Sequence, residues 1–393
     1  MKKKRIVDVV NLNADASCLS SAKWLNMLNG GVESYFFQWL SVYVKTNKKI
    51  ALGITGATAA DIAIHNPESI QLINNNPNVF EIILRPFSHD IALLRSALGF
   101  EYNLEFGKKT LSKLFKHYTN YFLPPEFMLT NEQILILTGQ KVEGTFINPA
   151  RFKDDIVKRL PKKAYVVRGL LNSSLNCIIF NGKLTHAFLN GIHHFNARQW
   201  NQAILETKDQ TSFCWRDGES SFFVPDGNVR ELKWLNAEDK KIERCFLRDT
   251  APDLNFEVND QLIESNYHYY PIHSFTAWMK EFRMMGYLKK IDQIETGFNK
   301  LSQDHKFIWL QAINSDILSA IEKDSPVIRI KVGQSKAATM QHTIWRSERG
   351  IEGEYYLQLL ENNKAAMAYR KVGTDAASIK LNGRVRFLKQ LSK

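Results

Sequence analysis

The chain has 393 residues, with 52 Lys+Arg against 40 Asp+Glu for a formal charge of +12, and 44% of it is hydrophobic. That composition excludes a disordered chain and a fibrous repeat, and 11 Pro with 20 Gly are too few for a linker-rich protein. The length suffices for one large core or two medium ones, and no apolar run reaches the ~18 residues of a membrane-spanning helix.

Met1–Arg5 (MKKKR) is a basic lead, and the apolar stretch behind it, Ile6–Val10, is interrupted by Asp8. It is shorter than the ~7–15 residue core of a secretion signal. It therefore reads as a first strand, with a cytoplasmic protein as the default. Similar apolar runs follow at Lys49–Thr55, Val79–Leu84, Tyr121–Leu123, Gly144–Ile147, Asn176–Phe180 and Thr211–Trp215. Nearly continuous apolar runs mark strands buried on both faces. Helical connectors are predicted at Asp61–Leu72, with Pro67 near a helix start, and at Leu111–His117. Strands alternating with helices imply an α/β fold with a parallel sheet. Seven such runs predict an irregular seven-stranded (β/α) barrel over residues 1–270, with an open doubly wound sheet as the alternative.

Beyond residue 270 the texture is helical. Phe275–Leu288, with Trp278, Phe282 and Tyr287 on or near an apolar stripe, and Ile291–Leu301 read as amphipathic helices. Trp309–Ile321 and Glu354–Tyr369 are also helical in pattern, and Val327–Val332 reads as a strand. The expectation is a mostly helical C-terminal region, 271–393, packed on the barrel without a flexible linker. Residues 321–393 hold 14 Lys+Arg and 7 Asp+Glu. No nucleic-acid-binding motif accompanies that charge, so it reads as a solvated helical face and no nucleic-acid partner is expected. Cys18, Cys177, Cys214 and Cys245 form no CxxC pair, and neither HxxxH nor HExxH occurs. No metal or other cofactor is expected.

Polar residues gather just after the predicted strands: Asn11, Asn13 and Asp15; Thr55; Arg85, Ser88, His89 and Asp90; Glu126; Asn148; Asp217 and Glu219. In a parallel barrel these positions share the face on which active sites are built. Glu126 follows Pro124 and Pro125, which stiffen the chain and would hold a carboxylate with little freedom. The same carboxylate also suits a helix N-terminus. Asp217 lies in Arg216-Asp217-Gly218-Glu219, which reads equally as a tight turn. Trp215 before it offers a ring to a sugar. A carboxylate pair on one face suits glycoside hydrolysis, with one group attacking the anomeric carbon and the other protonating the leaving oxygen. His89 is a sugar ligand, a metal ligand or a hydrogen-bonded core residue, and Tyr267, Tyr269 and Tyr270 would stack on carbohydrate or fill a core.

These segments resemble the catalytic domain of glycoside hydrolase family 57, over roughly residues 5–220. Lys49–Gly56 (KIALGITG) looks like the second strand unit of that family. Val79–Leu93 (VFEIILRPFSHDIAL) is similar to its second motif, with Glu81 and His89 at the acidic and histidine positions. Tyr121–Thr130 (YFLPPEFMLT) is similar to the third, whose Glu is the nucleophile, and Ser212–Glu219 (SFCWRDGE) to the fourth, whose Asp is the acid/base. Asn314-Ser315-Asp316 resembles a feature of the helical region. The family carries a histidine in its first motif, where Asn11–Ala16 (NLNADA) has none, and Ser220-Ser221 replaces a Phe-Gly. The resemblance implies a retaining α-glycoside hydrolase or transglycosylase. Glu126 and Asp217 would be catalytic, Asn13, Asp15, Glu81, His89, Trp215 and Glu219 substrate-binding, and the partner an oligo- or polysaccharide. The alternatives are a carbohydrate-binding or scaffolding protein that lost the chemistry and, below it, a carbohydrate deacetylase using Asp15.

Overall fold

The computed structural model describes residues 3–13, 21–148, 164–168, 170–184, 197–218, 227–251, 254, 257–259, 282–315, 317, 353, 356–357, 359–360 and 375–393. In chain order the strands among them are β1 Lys4–Leu12, β2 Ile50–Ile54, β3 Phe80–Leu84, β4 Thr119–Phe122, β5 Gly144–Ile147, β6 Ala164–Arg168, β7 Ser174–Ile179, β8 Thr211–Asp217, β9 Ile242–Arg244 and β10 Glu257–Asn259. They form one mixed sheet ordered β10-β6-β7-β5-β4-β3-β2-β1-β8, with β9 beside β1. The seven predicted runs are β1–β5, β7 and β8, joined by parallel pairings. β6, β9 and β10 are additional to the expectation.

Side chains of one face, among them Val7, Ala51, Ile83, Tyr121, Phe146, Ile178 and Phe213, form a single buried cluster. They come from all seven parallel strands, so the sheet curls around one shared cluster. The alternate residues, such as Val10, Leu52, Ile82, Phe122 and Cys214, enter a larger core beneath the helices. The curl is irregular at one seam. The outer edge of β7 is taken by antiparallel β6, and β10 adds beyond it. Among the described residues, β7 reaches β8 through a backbone bond from Asn181 N–H to Phe213 O, 2.8 Å.

The helices around the strands are α1 Ser21–Leu28, α2 Tyr35–Thr46, α3 Gly56–His65, α4 Pro67–Asn75, α5 Ala97–Leu114, α6 Asn131–Gly139, α7 Ala197–Leu205, α8 Gly227–Asn236 and the short α9 Leu247–Thr250. The helix predicted over Asp61–Leu72 is split. Asn66 accepts from Ser69 N–H and Pro67 takes the first position of α4, where its missing N–H is harmless. The helix predicted at Leu111–His117 is the end of α5, which stops where Phe115 turns extended.

α10 Phe282–Thr296, α11 Gln303–Ala312 and α12 Asp375–Leu391 follow. Tyr287, Ile291, Phe307, Trp309 and Leu388 share a second core with Phe87, Ile91, Phe106 and Met128. α12 docks on α3 through Arg384, whose Nε and Nη2 donate to the two oxygens of Asp61 at 2.7 and 2.6 Å. Lys380 donates to Ser21 Oγ at 2.7 Å. Both cations are buried, so this part of the basic tail is internal rather than the solvated face expected. The segment Val327–Val332 lies outside the described residues. No helix among those described is long and apolar enough to cross a membrane.

Two buried ionic groups tie these layers. On the outer face of the sheet, under α2 and α8, Asp8 meets Arg216 Nε at 3.2 Å and Arg244 Nη1 at 2.7 Å. Arg216 also reaches Glu231 Oε1 at 2.9 Å, and the Tyr43 hydroxyl bonds both. Burial alone would raise the Asp8 carboxyl, but the two guanidinia outweigh it and hold the group below the usual carboxylate range. At the boundary with the helical region, Arg95 lies between Asp90 and Glu295. Burial there wins over Arg95, and the Asp90 carboxyl is pushed up to about 7.

The two carboxyls act on stability with opposite signs. Asp8→Asn leaves two buried guanidinia short of an anion and is expected to cost ~3–5 kcal/mol in urea unfolding at pH 7. The Asp8 contribution is complete above the ordinary aspartate value and is lost as pH falls through its lower folded value. Asp90 binds its proton more tightly folded than unfolded, so stability falls as pH rises from ~4 to about 7. Asp90→Asn is expected to remove that decline, read from urea midpoints at pH 5 and pH 8.

Candidate active site

Parallel strands put all their C-terminal ends on one side of the sheet, and two of the sequence-predicted residues meet there. The β1/β8 register sets Asn11 beside Asp217. Alternation from Val7, Val9 and Phe213 turns both to the inner face. Asn11 Nδ2 donates to Asp217 Oδ1 at 2.9 Å and to Asn13 Oδ1 at 2.6 Å. Asn11 and Asn13 are buried and Asp217 is half-buried, so the carboxylate is oriented from below and reachable from above. Gly218 is more than a turn residue. Its N–H donates to Asn11 O at 2.8 Å, and a Cβ there would lie 2.5 Å from Leu12 Cδ2 and 2.7 Å from Val10 Cγ1. Glycine lets the end of β8 close onto β1.

Glu126 follows β4 in a single 3₁₀ turn, Pro125–Phe127. Glu126 has φ 51° and Phe127 φ 56°. Each left-handed L residue costs ~1–2 kcal/mol, so the turn persists because its surroundings hold it. Phe127 supplies the hold. Its buried ring packs edge-on against Trp215 at 5.0 Å and against Phe180 at 5.6 Å. The Trp215 contact brings the segment carrying half-buried Glu126 against the strand carrying Asp217.

Arg85, which the sequence pattern shows only as one of many polar residues after β3, is buried at the same end. Alternation from Ile83 turns it inward, and a Cβ on Gly53 would lie 3.3 Å from its Cδ. That alternation was the available signal. A cationic side chain here puts positive charge at the strand end that holds Asp217.

The remaining predicted residues are placed differently. His89 is buried, its Nδ1 2.8 Å from Ser315 Oγ, and its carbonyl accepts from Ser315 N–H at 2.8 Å. It joins the β3 loop to the helical region at the Asn314-Ser315 segment singled out in the sequence. Glu81 lies at the opposite, N-terminal end of the strands. It accepts from Thr119 Oγ1 and from Leu247 and Arg248 N–H at 2.5, 2.6 and 2.9 Å. Burial raises its carboxyl, against these hydrogen bonds. Its partners anchor α9, and it does not share the end that holds Asp217. Asp15, Glu219 and Tyr267–Tyr270 lie outside the described residues.

No protein-family model and no curated protein matches the sequence. Solved structures match the fold. A glycoside hydrolase family 57 branching enzyme from Thermococcus kodakaraensis aligns with a TM-score of 0.59 at 10% identity, over 98% of this chain and 94% of that one. The 4-alpha-glucanotransferase of Thermococcus litoralis aligns at 0.58 and 11% identity over 91% of this chain, which spans 55% of that enzyme's length. The alpha-amylase AmyC of Thermotoga maritima aligns at 0.55 and 8% identity over 97% of both chains. The chain thus shares the fold of family 57 enzymes.

The left-handed turn is open to a direct check. Glu126→Gly is expected to be more stable than Glu126→Ala by ~1–2 kcal/mol, measured by chemical denaturation. Equal stabilities would show that position 126 carries no backbone strain.

Proposed function

We propose that the chain is a carbohydrate-active enzyme, a retaining α-glycoside hydrolase or transglycosylase. In this reading the curled sheet is an irregular seven-stranded barrel over residues 1–270, and the helical region 271–393 packs on it. The observation that carries the reading is the Phe127–Trp215 contact, which brings the residue after Glu126 against the residue two before Asp217. The fold shared with family 57 enzymes supports it.

The Glu126 carboxylate attacks the anomeric carbon and forms a glycosyl ester, while Asp217 donates its proton to the departing oxygen. Asp217, now ionised, takes a proton from water or an acceptor hydroxyl. That oxygen attacks the anomeric carbon and frees Glu126. Asn11 holds the Asp217 carboxyl in one orientation for both transfers. Asn13, Asp15, Trp215 and Glu219 would bind the sugar. The rigid turn at Glu126 supplies the positioning that a nucleophile needs.

A second reading, a binding protein that lost the chemistry, is favoured by Asn11 and Asn13 standing where the family carries histidine. A screen over α-linked oligosaccharides separates the two. Turnover is expected, falling ~10²–10⁴-fold in Asp217→Asn and at least as far in Glu126→Gln. Full activity in Glu126→Gln would overturn the assignment, and binding without turnover in the wild type would favour the second reading.

A further inference from the structure

The end of the sheet opposite Asp217 holds a cavity of about 520 Å³, within the ~300–1,000 Å³ range of small-molecule sites. It enters the curl from the N-terminal ends of β3, β4 and β5, beneath α9. We propose that it is a second binding site, for a neutral polyhydroxylated ligand of the size of a mono- or disaccharide. The proposal does not depend on the roles given to Glu126 and Asp217.

The chemistry of the lining selects the ligand class. The buried charge at its wall, Glu81, is already engaged within the protein. Glu81 accepts from Thr119, Leu247 and Arg248. The Arg248 guanidinium donates to Pro77 O at 2.7 Å and stacks on Phe246 at 4.2 Å. Glu81 is therefore the buried charge of the lining and is already satisfied, while Arg248 is exposed at its edge. The inward groups besides Glu81 and Thr119 are the neutral Tyr121 phenol and Asn176 amide, facing an apolar wall of Ala251 and Leu254, with Tyr118 and Asn120 at the edge of the lining. Tyr121 and Asn176 are close enough to influence each other, so a phenol and an amide stand together on the inner face. Amides and phenols that both donate and accept, beside aromatic and aliphatic surface, match hydroxyls on one side of a ligand and C–H groups on the other. Gly144 keeps the space open. A Cβ there would lie 2.3 Å from the Tyr121 ring, so a larger residue would push that ring into the cavity. Glu143 and His117 stand exposed at the rim.

The test is a binding titration of the full chain with glucose, mannose, N-acetylglucosamine and maltotriose, with inorganic phosphate and spermidine as charged comparators. Hydrogen–deuterium exchange locates the bound sugar. At least one sugar is expected to bind and to protect residues 117–121 and 143–147, equally in wild type and Glu126→Gln. Tyr121→Phe and Asn176→Ala, checked for unchanged melting temperature, are each expected to weaken that binding ~2–10-fold. The wild-type exchange map decides the matter if either variant fails to fold. The proposal is overturned if no sugar binds, if protection appears only around residues 126 and 217, or if phosphate or spermidine binds the cavity in place of the sugars.

Discussion

The buried pairing of Asp8 with Arg216 and Arg244 sets the register on which the candidate site depends. Asp8 is on β1, Arg216 on β8 and Arg244 on β9, so one carboxylate ties three strands on the outer face. Side-chain direction in a strand has period two, and a one-residue slip of β1 would turn Asp8 into the apolar inner cluster and Asn11 outward. The cost of an unpaired buried charge forbids that slip. The inner-face consequence is the Asn11–Asp217 pair. A buried ion pair adds little net stability over a well-packed apolar group; its contribution here is choosing one register among alternatives.

The same division of labour recurs at the strand ends. At the C-terminal end, two left-handed residues are kept in place by an aromatic cluster that spans the irregular seam. Phe127 touches Phe180 beside β7 and Trp215 on β8, while Phe180 stacks on Phe146 of β5 at 5.1 Å. Side-chain packing thus compensates where β6 diverts the hydrogen-bonding edge of β7. At the N-terminal end, Glu81 is saturated by a hydroxyl and two backbone N–H groups and fixes α9. The two carboxylates share the chemistry of their side chain and differ in what surrounds them. Glu81 is buried and saturated by the fold, and Glu126 at the left-handed turn is half-buried.

Much of the architecture was legible because burial writes itself into composition. Seven strands buried on both faces show as apolar runs, and each run is a strand in the structure. β9 and β10 are three-residue strands, too short to carry a period, and β6 is defined by its antiparallel partner β7. The break between α3 and α4 was signalled by Asn66-Pro67, yet the apolar pattern runs across it. Arg384 and Lys380 of the last helix looked solvated because their partners, Asp61 and Ser21, are 323 and 359 positions away.

The sequence by itself determined the α/β class, where along the chain the parallel strands fall and the fact that polar residues follow them, since each depends on local composition and spacing. Only the tertiary structure decided which polar residue faces inward and at which end. Arg216 and Asp217 are neighbours in sequence, but the pleat sends one to a buried ion pair and the other to the candidate site. Glu81 and Arg85 share one face of the β3 segment at opposite ends. Strand pairing and register fix those outcomes, and they join residues about two hundred positions apart, beyond the reach of any local pattern.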